Sequence, residues 1–263
     1  MTRIIEQFLV VLVLFFGMWW GLSHISFINN EKVEQFNQDS QAKLGELMMR
    51  TLRLQQHEIE HTDLNRYLDT LKQVICKSNN IPADSITIHL FKNTEVNAFA
   101  LPGNHIVVHT GLLSYAHSAE EVAGVLGHEI GHLRKKHIQK KLVKEVGISM
   151  LMVLAGGNQG QEILKQVIHT MSSTAFDRDF EREADLFAVN AMAASGIDPE
   201  QLSNFMYRLA QDHSLPAELI WLSTHPDSKE RAAEMLEERK KLTIKPKVPL
   251  QTQWDVVRKS LDS

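Results

Sequence analysis

The sequence predicts an α+β fold that is mainly helical, with one small antiparallel sheet and one N-terminal transmembrane helix. Three observations predict it. Apolar residues recur at three-to-four spacing over most of the chain, the period of helices with one buried face. Between residues 85 and 110 the period shortens to two and is broken by a Pro-Gly pair, as in short paired strands. Residues 8–22, FLVVLVLFFGMWWGL, carry no charge.

With SHISFI the uncharged stretch reaches Ile28, close to the roughly 20 residues a helix needs to cross a bilayer. It outruns the roughly 7–15 residues of a signal-peptide core, and no A-x-A-like cleavage site follows. Trp19 and Trp20 suit a membrane interface, and Arg3 on the short side predicts a cytoplasmic N-terminus with the remainder on the non-cytoplasmic, periplasmic side. The chain therefore divides into a membrane anchor (1–30), one folded domain (31–240) and a C-terminal tail (241–263).

Residues 31–77 read as helical, with Leu44, Leu47, Met48 and Leu52, then Leu64, Leu68, Leu71 and Ile75, on one stripe. Ile86, Ile88 and Leu90 alternate along a strand. NAFALPGNHIVVHT (97–110) reads as strand, turn, strand, with Gly103 supplying the positive φ of a type II turn. Ser118 and Glu121 form a capping-box signature that starts a helix near Ala119. VGISMLMVLA (146–155) is too short to span a membrane and reads as a lid or a core segment. Further helices fall at about 161–172, at 181–195 up to Gly196, after Asp198-Pro199, and after Pro226. The tail, KPKVPLQTQWDVV, reads as loosely packed.

Length suits one domain of moderate size with accessory segments: 263 residues with a net charge of −4. That charge gives no electrostatic footprint for nucleic acid. Cys76 is the single cysteine, which excludes an intrachain disulfide and Cys-rich zinc sites.

Histidines, 13 in all, carry the strongest signal. His57-Glu58-x-x-His61 and His128-Glu129-x-x-His132 both match the pattern in which two histidines one helical turn apart hold zinc and the glutamate handles a proton. Chance alone yields about 0.05 such matches for this composition, so a second match is suspect. Surroundings separate the two. Val125, Leu126, Gly127, Ile130, Gly131 and Leu133 make a dry setting for the second, as a catalytic metal requires. Glu60, Gln55, Gln56, Thr62 and Asp63 make the first a solvated helix face and an accidental match. Gly131 lowers helix propensity by roughly 1 kcal/mol, which close approach of another backbone would offset.

A catalytic zinc has three protein ligands and an open position. FEREAD (180–185) offers the third as Glu181 or Glu183; Glu181 shares a helix face with Asp185, and Glu183 projects away from both. An ordinary acidic helix start would look the same. RKKHIQKK (134–141) reads as a solvated basic helix end, with His137 on the surface, and His105 and His109 share one strand face, at the cleft or its rim.

Taken in order, NAFALPGNHIVVHTGLL, HEIGHLRKKH, FEREADLFAV and THPDSKER resemble the zinc metallopeptidase (gluzincin) family of the CAAX prenyl endopeptidases, HtpX-type heat-shock proteases and BepA-type envelope proteases. The resemblance covers about residues 40–235. It implies a zincin-like metallopeptidase domain, one Zn²⁺ per chain and protein or peptide substrates. It makes His128, His132 and Glu181 the metal ligands and Glu129 the general base. Asp185 then orients a ligand histidine, and Arg231 pairs with Asp185. His225 becomes either a transition-state hydrogen-bond donor or a reversible fourth ligand. Unlike the multi-spanning relatives, this chain has no transmembrane helices between the histidine and carboxylate segments, and it ends before the helical repeats of the BepA type could follow. The expected function is a membrane-tethered zinc endopeptidase for unfolded or misassembled envelope proteins, which would add as a strand along residues 104–110. The rival expectation is a non-proteolytic, chaperone-like binder with a structural or latent zinc site.

Overall fold

The computed structural model describes residues 38–60, 62–147, 161–212, 221–226, 228–244 and 250–259, with the single positions 12 and 261. The apolar stretch 8–28, apart from position 12, and most of segment 146–155 lie outside the described residues. Among the described residues no helix is long and apolar enough to cross a membrane.

Ten helices are described in chain order: α1 (Gln38–Gln55), α2 (Thr62–Ser78), α3 (Thr110–Tyr115), α4 (Ala119–Arg134), α5 (His137–Glu145), α6 (Gln161–Ser173), α7 (Arg178–Ser195), α8 (Glu200–Leu209), α9 (Ser228–Lys240) and α10 (Gln251–Lys259). Strands β1 (Thr87–Phe91), β2 (Ala98–Leu101) and β3 (His105–His109) lie between α2 and α3.

Helix α4 is the axis of the domain. From Glu121 to Leu133 every residue is buried, so it is covered all round, by α2, α7, α8 and β2. Its start is fixed electrostatically. Ser118 Oγ accepts the Glu121 amide at 3.2 Å, and the Glu121 carboxylate accepts the His117 amide at 2.8 Å. Arg208 of α8 donates to both Glu121 oxygens, at 2.8 and 2.7 Å, tying the cap to the next layer.

Glycines set how closely α7 approaches. A Cβ at Gly131 would stand 3.1 Å from the Ala184 backbone, and one at Gly127 would touch Ala188 at 3.7 Å. The small residues on both helices thus bring the two backbones almost into contact. The end of α4 is abrupt. Lys136 takes the left-handed conformation (φ 57, ψ 29), and α5 restarts at His137 in a new direction.

Several expectations are corrected. The sheet is mixed, in the order β1-β3-β2, with β1 parallel to β3 and β2 antiparallel to β3. Gly103 (φ 75, ψ 16) does turn β2 into β3. The loop 92–97 reverses widely enough to leave a gap of two strand spacings, roughly 10 Å, and β3 fills it. Strand 104–110 is therefore central and has no free edge; β1 and β2 are the edges. The long first helix is divided, and residues 57–60 are extended. Ile59 donates to the Leu90 carbonyl at 2.7 Å and Lys92 to the His57 carbonyl at 2.8 Å, satisfying the outer edge of β1. Residues 57–60 are thus no helix face, because sheet pairing outweighs their helical pattern.

The basic stretch 134–141 is not a uniformly solvated end. His137, Ile138 and Lys141 are buried, and the Lys141 ammonium donates to the Thr174 carbonyl at 2.5 Å. His105 meets His89 at 3.0 Å, while His109 lies 3.3 Å from Glu95 and edge-on to Phe99. The tail is packed. Leu250, Trp254 and Val257 recur at helical spacing and are buried, Trp254 being 1 % exposed, and Tyr67 Oη donates to the Leu250 carbonyl at 3.0 Å. Trp254→Ala should lower unfolding free energy by about 3–5 kcal/mol in chemical denaturation; a loss below about 1 kcal/mol would mean the tail is merely draped on the surface.

Candidate metal centre

Three elements converge beside the middle of α4. The helix itself presents His128 and His132 one turn apart on one face. Helix α7 brings Glu181 opposite them, and the short 3-10 turn Trp221–Ser223 delivers His225. That turn is fastened at both ends: Trp221 N donates to the Val96 carbonyl at 2.8 Å, and Phe176 N donates to the Thr224 carbonyl at 3.1 Å.

One ligand-type atom from each of His128, His132, Glu181 and His225 lies within 4.8 Å of all the others, and all four residues are buried. His128 Nε2 is 2.9 Å from His132 Nε2 and 3.2 Å from His225 Nδ1. Glu181 Oε1 is 2.9 Å from His225 Nδ1 and 3.3 Å from His132 Nε2. Four donors around a tetrahedral ion with bonds near 2.0–2.1 Å would be spaced by roughly 3.3 Å. The donor chemistry fits as well, because three imidazole nitrogens and one carboxylate oxygen, each able to offer a lone pair, converge on one point. Among the described residues this is the only such cluster.

Burial pulls the imidazole of His132 down to about 4 and that of His225 down to about 3. Their lone pairs are thus available near neutral pH. Burial pulls His128 down too, but Asp185 and Glu181 outweigh it and leave His128 raised. Burial pushes Glu181 up, yet facing imidazoles of His225, His132 and His128 hold it well below the usual carboxylate range.

Behind the cluster, Asp185 Oδ1 lies 3.0 Å from His128 Nδ1. Arg231 grips Asp185 with two bonds of 2.6 and 2.7 Å, and its Nη1 also contacts Glu181. Glu183, the alternative third ligand, points outward with its side chain 49 % exposed.

Glu129 is buried beside the cluster without belonging to it. Its Oε2 accepts the Ala100 amide of β2 at 3.0 Å, and its Oε1 accepts the Trp221 indole at 3.1 Å. Burial pushes its carboxyl up to about 7. His225 Nε2 is 3.5 Å from Glu129 Oε1.

Sequence reasoning missed two participants. Trp221 lies 4.4 Å from His225, centroid to centroid, and 5.0 Å from His128, and it bonds Glu129. Its only local signal was a large aromatic four residues before His225. His137, expected at the surface, has its ring buried against His132. Helical phase gave no hint of that, since the contact depends on the break at Lys136.

A buried imidazole–carboxylate cluster carried by a glycine-bearing helix, with a further carboxylate alongside, describes a metallopeptidase centre. The chain belongs to peptidase family M48, whose model matches residues 62–239. It is 29 % identical over 219 residues to a putative beta-barrel assembly-enhancing protease of Vibrio cholerae, covering 74 % of this chain and 44 % of that one. The mitochondrial metalloendopeptidase OMA1 of Arabidopsis thaliana is 34 % identical over 143 residues, 52 % of this chain and 28 % of its own. Metalloprotease LoiP of Escherichia coli is 28 % identical over 160 residues, 59 % of this chain and 63 % of its own. The chain spans less than half the length of the beta-barrel assembly-enhancing relatives it matches.

Metal analysis of the purified chain should find about one equivalent of divalent ion, as a single four-donor centre requires. His132→Ala and Glu181→Ala should lose it, while His57→Ala should keep it. Metal lost from His57→Ala would move the centre to the other motif.

Proposed function

We propose that the chain is a membrane-tethered zinc endopeptidase that hydrolyses peptide bonds of unfolded or misassembled proteins of the cell envelope. One observation carries this reading: a buried carboxylate, Glu129, stands beside four metal-type donors and is not one of them. A structural site has no use for such a neighbour. Family membership and the metallopeptidase relatives support the same class.

In this reading His128, His132 and Glu181 hold zinc, which, when bound, polarises the scissile carbonyl and acidifies water. Glu129 accepts the proton of the attacking water and returns it to the leaving amine. A carboxyl pushed to about 7 by burial is matched to that double task near neutral pH. The Ala100 amide and the Trp221 indole hold it in place. With the 221–226 turn displaced, His225 would donate to the oxygen on which charge develops. Arg231 and Asp185 keep Glu181 and His128 aimed.

Substrate would add along β2 instead of the central strand β3. The Ala100 amide already points away from β3, toward Glu129, so the β2 edge runs past the reacting groups. Recognition through backbone bonds is tolerant of sequence, which suits unfolded chains. Residues 8–28 supply the anchor, with the folded part on the periplasmic side.

A second reading draws on the same cluster. Four protein donors, His225 among them, close the coordination sphere, as in a structural or latent zinc site of a chaperone-like binder. Casein digestion separates the two. The proteolytic reading expects cleavage that a chelator abolishes and zinc restores. Glu129→Gln should retain full metal content and cleave at least about 100-fold more slowly. Unchanged cleavage by Glu129→Gln would remove Glu129 from the reaction, and no cleavage by the metal-loaded wild type would favour the binder. Alkaline carbonate should leave the full chain in the membrane fraction and release a chain lacking residues 1–30.

A further inference from the structure

His132 and His137 meet nitrogen to nitrogen, Nδ1 to Nδ1, at 3.1 Å. On the far side of its ring, His137 Nε2 lies 3.4 Å from Glu183 Oε2. In one continuous helix, residues five apart would diverge by 140° and could not touch. The left-handed turn at Lys136 ends α4 and starts α5, which swings the His137 ring back onto the face it would otherwise leave. The ring is then clamped. It stacks on Phe180 at 4.4 Å with the planes 8° apart, while the Lys140 ammonium sits 5.0 Å from the Phe180 ring.

A neutral imidazole carries one proton, so its two nitrogens have opposite roles. For His132 to offer the Nε2 lone pair to the cluster, its proton must be on Nδ1. That N–H then needs an acceptor, and His137 Nδ1 is the atom facing it. Accepting there places the His137 proton on Nε2, where the Glu183 carboxylate receives it. The reverse arrangement would put a proton on His132 Nε2, aimed at His128 Nε2 only 2.9 Å away, and would remove a metal donor.

We infer that His137, backed by Glu183, is the positioning pair for His132, fixing its tautomer and ring plane so that Nε2 faces the metal. The inference rests on the metal reading proposed above. It makes the two histidine arms unlike each other. His128 is oriented directly by the carboxylate of Asp185, itself anchored by Arg231, while His132 is oriented through a neutral imidazole with its carboxylate at the protein surface.

The test is zinc affinity of the full chain in detergent, measured by competition with a chromophoric chelator, with zinc-free melting as the folding control. His137→Leu fills the space against Phe180 but offers no acceptor, and should weaken zinc binding about 10–100-fold. His137→Asn sets Oδ1 near the former Nδ1 position and should recover most of that loss. Glu183→Leu, at an exposed position where folding is not at stake, should weaken binding severalfold. A purely structural histidine would lower the zinc-free melting temperature in both His137 variants alike and leave their zinc affinities equal. Equal affinities for His137→Leu and His137→Asn, or an unchanged affinity in Glu183→Leu, would overturn the assignment. Wild type without zinc would overturn the metal reading itself, a result distinct from either of those.

Discussion

One buried guanidinium holds this centre together. Arg231 reaches from α9 between Asp185 and Glu181, bonding the first through two nitrogens and contacting the second. Both carboxylates are buried, and an uncompensated charge there would cost several kcal/mol. Arg231 helps hold Asp185 ionised 3.0 Å from His128 Nδ1, while Glu181, held ionised by the facing imidazoles, faces the donor cluster. Removing one member of such a buried network leaves its partners unpaired, which is why sites of this kind tolerate no partial version.

The network also requires that α4 and α7 lie close. Glu181 is too short to reach two histidines from an ordinary interhelical distance, and side chains at positions 131 and 184 larger than Gly and Ala would hold the helices apart. Close packing and buried charge therefore depend on each other. The glycines weaken α4 as an isolated helix, but complete burial on all sides leaves little role for intrinsic propensity.

The centre as described is closed. Trp221, Phe176 and the imidazole rings surround the donors and exclude water, and this dryness gives Glu129 its raised carboxyl pKa. The 221–226 turn does this with a few backbone bonds, chiefly Trp221 to Val96 and Phe176 to Thr224. The same turn carries His225, bonds Glu129 through Trp221 and bonds Val96, two residues before β2. Its position decides at once whether the donor set is complete and whether Glu129 keeps its indole partner.

Much of this was legible along the chain. The cap at Ser118, the helix around His128 and His132, the stop at Gly196 and the start after Asp198-Pro199 are set by residues within a turn or two of each other, and local chemistry was enough. The preference for Glu181 over Glu183 followed from helical phase together with the family resemblance, and the fold buries the former while exposing the latter. What the chain could not disclose were contacts between distant segments. Residues 57–59 pair with β1, β3 inserts between β1 and β2, and Trp221 crosses to Glu129; none leaves a periodic trace. His137 fell between the two cases: near in sequence, but brought to His132 by one left-handed residue that no pattern in RKKH announces. Sequence alone therefore determined the chemical types and their helical phase, because those depend on neighbours, and the tertiary structure alone decided which donors meet, because that depends on long-range packing.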